Sequence, residues 1–359
     1  MADRATFGDL SSGRANNFDA LRFVLAALVI LSHSYPLLNG SNDCEPFFEA
    51  TGGQITGGEV AVGGFFIISG FLIAQSWEKS RGLGDYLRKR IARIYPGFLA
   101  AALFCAFIAG PALSESAEEY WKQFRPARFA LAALNLEELD LPPVAPELPA
   151  KSINGSLWSI RYEFVCYLAL AGLGATGLIR RRWPVAVALA VCLSVQAAQI
   201  YLKIKMPGSG LSRVWCYPEL WPRVAGCFFA GTLAYSCRDR IPQSGVIAAL
   251  SAAILIVLAF ASHLKALPLA FPVFGGYLLF WFAFLPTPRL HQFARYGDFS
   301  YGVYLYAYPV QQMLVRAYGE RLTPPKLFAA ALPLTLGLAI VSWFVVERPW
   351  LKRAHRRHV

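Results

Sequence analysis

Charge is scarce in this chain. Charged residues make up 16% of its 359 positions, whereas a soluble globular domain carries about 25%. That deficit excludes an ordinary soluble domain. Acidic residues are the scarcer kind, 22 against 34 Lys and Arg, for a net charge of +12. The bases do not spread into an extended face. They sit in short clusters between apolar runs: LRKRIAR (87–93), RRR (180–182) and LKRAHRRH (351–358). This pattern marks the cytoplasmic side of a membrane protein and argues against a nucleic-acid partner. The last cluster suits acidic membrane lipid. Cysteine comes seven times but never as Cys-x-x-Cys, so neither a disulfide framework nor a zinc cluster is expected, and no metal is predicted. No small-residue cleavage site follows the first apolar run, which is expected to be a retained helix. With no internal repeat and no low-complexity segment, one membrane-embedded domain over 1–350 and a basic cytoplasmic tail over 351–359 account for the chain.

What fills the chain is apolar. Hydrophobic residues reach 56%, with 26 Phe, 16 Tyr and 9 Trp, and mean hydropathy is +0.43. Backbone in lipid must satisfy its own hydrogen bonds, so apolar runs of about 20 residues read as helices. The fold class is an all-α, multi-pass membrane protein of about ten helices. The expected spans are 19–38, 57–75, 94–112, 156–175, 184–202, 221–237, 244–262, 269–285, 300–318 and 327–346. With the N-terminus inside, the inner segments hold about twice the Lys and Arg of the outer loops, which places both termini in the cytoplasm. The longest outer loop, 113–155, is acidic and Pro-rich; it covers an outer opening, contacts an acceptor or simply connects. Loop 203–220 mixes Gly, Pro, aromatics and charge.

A few polar residues interrupt these runs. Arg22 and His33 are eleven residues apart, three turns plus about 20°, so they share one face about 16 Å apart. His33 falls in the outer half of the bilayer, where an imidazole can take a proton from a hydroxyl and pass it on; a satisfied histidine near the surface is the plainer reading. Glu163 lies about 10 Å below Ser156, which puts it at the depth of His33. There it accepts the second imidazole N–H, pairs with an arginine or acts as packing glue. Arg161 points about 200° away and needs a lipid head group or an outer-loop acid. The second helix carries Gly57, Gly58, Gly63, Gly64 and Gly70, which leave room for a neighbouring helix or a thin ligand. Ser69 stands in its inner half. Arg90 and Arg93 share a face and suit phosphate, or they serve only as inside-positive anchors. Tyr201, Trp215, Tyr217, Trp221, Tyr301, Tyr304, Tyr306 and Tyr308 line a sugar cleft or anchor the membrane interface. His291 falls in an inner loop.

The same residues carry a family likeness, in order along nearly the whole chain. FDALR (18–22) and the spacing Arg22-x10-His33, FFIISGFLI (65–73), RKRIARIYP (88–96), LWSIRYE (157–163), YGDFSYGVYLYAYPV (296–310) and VERPWLKR (346–353) resemble the membrane-bound acyltransferase 3 family, which includes the bacterial polysaccharide O-acetyltransferases. Ala20 departs from the family's usual glycine. The resemblance implies about ten helices in a bacterial inner membrane, acetyl-coenzyme A as cytoplasmic donor, and a sugar or polysaccharide acceptor reached from the outer side. Polysaccharide-assembly proteins are implied partners. It implies His33 as the essential histidine, with Glu163 beside it in catalysis, and Arg22, Ser69, Arg90 and Arg93 at donor-binding positions. Transport or flipping of a glycan or lipid-linked intermediate, another acyl donor, and an amine acceptor are the alternative readings.

Overall fold

The computed structural model describes residues 5–11, 13, 15–204 and 217–356. Cys216 and the middle of the 203–220 loop lie outside the described residues. The described chain is helical, with a lone bridge between Thr6 and Pro242. The principal helices are α1 (Phe18–Asn39), α2 (Gly57–Glu78), α3 (Leu83–Phe104), α4 (Ala117–Gln123), α5 (Pro126–Leu134), α6 (Trp158–Ala175), α7 (Arg182–Tyr201), α8 (Trp221–Ser236), α9 (Gly245–Phe260), α10 (Leu267–Ala283), α11 (Ser300–Tyr318), α12 (Pro324–Ser342) and α13 (Arg348–Arg356).

Each of the ten apolar runs forms a helix, but fewer than ten are built to face lipid. Among the described residues, five stretches are long and apolar enough to cross a membrane: α1, α2, Leu83–Leu113, α7 and Pro324–Ala354. The helices α9 and α10 are apolar but shorter. The other three differ for a physical reason. Helix α6 carries Arg161 and Glu163, α8 has only 16 residues, and α11 carries five tyrosines and two glutamines, of which Tyr301, Tyr304, Tyr306, Gln311 and Gln312 are buried. Such polar side chains are tolerated because they face protein. Conversely, α7, α9 and α12 expose apolar residues such as Val187, Leu250, Phe260 and Val341, as helices at a lipid boundary do.

Local sequence sets the helix ends. Thr56 and Glu59 cap α2 reciprocally, satisfying two backbone N–H groups at its start. Gly40 ends α1 in a left-handed conformation, φ 75°, which glycine adopts without a Cβ penalty. Helix α2 is the axis of the bundle, packed against α1, α6, α8 and α10. Its closest crossing is with α8. A Cβ on Gly70 would run into the carbonyl oxygen of Phe228, and one on Gly231 would run into that of Ile67. The glycines that left room for a ligand or a helix therefore admit a helix at this crossing.

The long acidic loop folds as a cap over one end of the bundle. Its helices α4 and α5 and the segment after them bury Tyr120, Val144, Leu148 and Ile153 against Leu37, Leu113 and Val315. The Gln312 amide donates to the carbonyls of Ala150 and Ser152. Arg161 finds its partner here, 3.0 Å from Glu137, so of a lipid head group and a loop acid it is the acid that meets it. At the opposite end, Asp298 ties three helices: Arg22 of α1 donates to it at 2.7 Å, Arg93 of α3 pairs with it, and the Ser300 hydroxyl at the start of α11 donates to it.

Replacing Gly70 with valine should cost about 3 kcal/mol or more, because neither backbone can move aside. The check is the thermal midpoint and monodisperse yield in detergent. Gly172→Ala, where a Cβ meets nothing within 4 Å, should be neutral or stabilising by up to about 1 kcal/mol. Asp298→Asn removes the carboxylate shared by two largely buried guanidinium groups, leaving Arg22 only Asp19 at 3.9 Å, and should cost about 3 to 5 kcal/mol in the same assay.

Candidate functional site

The ion cluster at Asp298 forms the floor of the site. Burial alone would raise its carboxyl pKa, yet Arg22 and Arg93 hold it well below the usual carboxylate range. The Arg93 guanidinium also lies over the Tyr301 ring, 5.5 Å from its centre. Arg22 and Arg93, far apart in sequence, are thus brought together on one carboxylate.

Arg90 goes elsewhere. It donates to the Ser76 hydroxyl at 3.1 Å and lies 5.8 Å from the ring centres of both Tyr86 and Tyr167. Its Nε is buried without a partner. The shared face of Arg90 and Arg93 therefore does not form an exposed phosphate fork. That face of α3 is turned into the bundle, toward α6 and α11, with Arg90 reaching Ser76 of α2, and periodicity cannot say which face a helix buries.

One turn inward from Arg90, Glu163 accepts from the Ser69 hydroxyl at 2.9 Å and from the Tyr167 hydroxyl. The two hydroxyls are themselves 3.0 Å apart. A narrow cavity of about 40 Å³ opens beside this triad, with Arg22, Glu163, Phe65, Tyr301 and Tyr304 among its walls. Arg22, Ser69 and Glu163 thus belong to one region.

His33 stands apart from it. Its ring meets Tyr308 edge to face, centres 5.3 Å apart and planes at 82°. Its Nδ1 is buried with no hydrogen-bond partner. Glu163 does not contact it, so the pairing expected from equal depth is corrected. The levels can be read along α11. His33 is at Tyr308, Ser159 bonds Tyr304 one turn lower, and Glu163 is one turn below Ser159. At 1.5 Å per residue the separation is about 12 Å. The reason lies in residues 154–156. The Asn154 amide donates to the Leu305 carbonyl at 2.9 Å, and the Tyr304 hydroxyl donates to the Ser156 carbonyl at 2.9 Å. The chain before α6 is thereby drawn into the bundle, so α6 begins well inside it rather than at its surface. Gly155 is what lets this segment pass Tyr308, since a Cβ there would come within 2.8 Å of the ring.

The aromatic residues divide. Tyr301 and Tyr304 line the inner cavity, with Tyr301 bonded to the Ile94 carbonyl at 2.9 Å. Tyr217 lines a cleft of about 550 Å³ under the cap, with Trp158, Tyr162, Arg128, Glu138 and Arg161. Trp221 stands against Tyr162, centres 4.6 Å apart. Tyr201 bonds the Leu264 carbonyl away from both, Tyr306 meets Phe104, and Trp215 lies outside the described residues. The His291 Nε2 is 3.1 Å from the Leu285 carbonyl oxygen. No group of three or more His, Cys, Asp or Glu gathers as a metal site among the described residues.

Sequence reasoning missed Asp298, Tyr167 and Ser76. Tyr167 had a signal, since it follows Glu163 by four residues and shares its face. Asp298 had none but its place in a quoted motif, because its partners lie on other helices.

Comparison with known proteins agrees with this arrangement. A family model described as an acyltransferase domain, acyltransferase 3, matches residues 16–344. The chain is similar to an "O-acetyl transferase" of Shigella phage Sf6, 28% identical over 358 residues, covering 95% of this chain and 97% of the relative. It is also similar to "Nodulation protein 10" of Rhizobium leguminosarum bv. viciae, 28% identical over 367 residues and covering 95% of each. No solved structure matches. A bundle with five membrane-length helices, polar groups buried at its centre and a family match over nearly all its length leads to one conclusion: the chain belongs to the membrane-bound acyltransferase 3 family and is a multi-pass membrane acyltransferase.

Proposed function

We propose that the protein transfers an acetyl group from cytoplasmic acetyl-coenzyme A to a hydroxyl of a sugar, a cell-surface polysaccharide or its lipid-linked precursor. The carrying observation is His33, whose Nδ1 is buried without a partner. A buried nitrogen without a partner is costly and suits a group that accepts a proton from substrate. The name of the phage relative, an O-acetyl transferase, supports acetyl as the acyl group and oxygen as the acceptor atom. The excess of Lys and Arg on one side supports a multi-pass arrangement in a bacterial inner membrane with both termini in the cytoplasm. In that orientation Arg22, Ser69 and Glu163 lie toward the cytosol and His33 toward the outside.

The donor arm enters from the Arg22 side, along the cavity between Arg22 and Glu163. Glu163, held by the Ser69 and Tyr167 hydroxyls, gives that wall a carboxylate acceptor for an amide N–H of the arm. The acceptor comes from the capped side, where Trp158, Tyr162 and Tyr217 offer aromatic faces to a sugar ring. His33 takes the proton from the acceptor hydroxyl as its oxygen forms a bond to the thioester carbonyl carbon. The carbon–sulfur bond then breaks, and the leaving thiolate takes the proton back from the imidazolium. With about 12 Å between them, Glu163 serves the donor and does not orient the imidazole.

His33→Ala should lower turnover by about 10²- to 10⁴-fold while the protein still inserts and elutes as a single species. Turnover of this variant at the wild-type rate would remove His33 from the chemistry. Glu163→Gln should raise the KM for acetyl-coenzyme A and leave the pH dependence of kcat in place. A displaced pH profile in that variant would return Glu163 to a role beside the imidazole.

A further inference from the structure

If acetyl-coenzyme A is the donor, its phosphates need cations, and the arginines expected to supply them are engaged. Arg93 is committed to Asp298 and Arg90 to Ser76 and two tyrosine rings. On the far side of Ser69 from His33 lies a separate cavity of about 790 Å³, within the range of small-molecule sites. It opens between the ends of α2, α6 and α8 and the start of α7. Four arginines line it, Arg81, Arg180, Arg182 and Arg238, against one carboxylate, Glu78.

That carboxylate pairs with Arg238, 3.4 Å away, and accepts from the Tyr235 hydroxyl. Arg182 donates to the Ser236 carbonyl at 3.0 Å. Arg81 and Arg180 are exposed and make no side-chain hydrogen bond or ion pair among the described residues. The cavity therefore carries surplus positive charge with guanidinium groups to spare, and guanidinium is suited to bidentate phosphate contact. Trp77 supplies aromatic surface for a planar base, while the Tyr235 ring is covered by the Arg238 guanidinium, 4.0 Å from its centre. The wall is continuous with the Ser69–Glu163 region. Trp77 is eight residues beyond Ser69, about 12 Å along α2. Trp77 stands edge-on to Tyr86 at 5.1 Å, and Tyr86 donates to the Tyr167 carbonyl at 3.0 Å.

We propose that this four-arginine cavity holds the phosphorylated nucleotide head of the acyl donor, with Arg81 and Arg180 as phosphate ligands. The inference rests on the donor assigned above. The same chemistry would also hold an anionic lipid head group, and the experiment separates the two.

The full chain is placed in phosphatidylcholine nanodiscs, with and without phosphatidylglycerol, and titrated with adenosine 3′,5′-bisphosphate. Arg81→Gln/Arg180→Gln should weaken nucleotide binding about tenfold or more in both lipids. In the transfer assay the same variant should raise the KM for acetyl-coenzyme A to a similar degree, while the KM for S-acetylpantetheine, which lacks the nucleotide, stays within twofold. Unchanged nucleotide affinity together with lost phosphatidylglycerol retention would assign the cavity to lipid and overturn the proposal. So would an unchanged KM for acetyl-coenzyme A. A wild-type protein that uses neither thioester would instead sink the acetyltransferase reading. Should the double variant fail to fold, Arg81→Gln alone, at an exposed position, must show at least a threefold loss of nucleotide affinity, or the proposal fails.

Discussion

One carboxylate holding two guanidinium groups, largely out of solvent, is the constraint on which the arrangement depends. Asp298 draws Arg22 of α1 and Arg93 of α3 to the start of α11. Each charge alone would be expensive when buried in protein; together they fix the relative height of three helices. That tie places Arg22 at the wall of the inner cavity and sets the level from which His33 is three turns removed. A charged cluster performs a task that apolar contacts could not, because apolar faces in lipid slide past one another with little preference.

Above this floor the bundle is set by close backbone approach and by buried amide and hydroxyl bonds. The α2–α8 crossing at Gly70 and Gly231 brings two main chains into contact. Asn154 and Tyr304 hold the chain before α6 inside the bundle. The consequence is chemical: Glu163 sits in a triad with the Ser69 and Tyr167 hydroxyls, and the imidazole is left to itself beside Tyr308. The two polar groups thus stand about 12 Å apart.

The distribution of arginine follows the same division. Those within the bundle, Arg22, Arg90 and Arg93, are occupied by Asp298, Ser76 and aromatic rings. Those at its rim, Arg81 and Arg180, are exposed. Buried cations hold the helices and rim cations remain open to an anion, which a count of arginines along the chain would not separate.

Helix positions, the membrane class and the family were legible in the amino-acid sequence, because the length of an apolar run and the order of short motifs are properties of the chain alone. The common face of Arg22 and His33 was legible too, since helical periodicity fixes angles and rises within one helix. The need of Arg161 for a partner was readable, and Glu137 met it. Relative height between helices was not legible. Glu163 was expected level with His33 because α6 was taken to begin at the membrane surface, whereas tertiary hydrogen bonds at Asn154 and Ser156 start it deeper. Nor could periodicity tell that the Arg90–Arg93 face of α3 turns inward, or that α11 with its tyrosines and glutamines is enclosed by protein. Within a helix the backbone dictates geometry; between helices only the packed partners, Asp298 foremost among them, decide which residues meet.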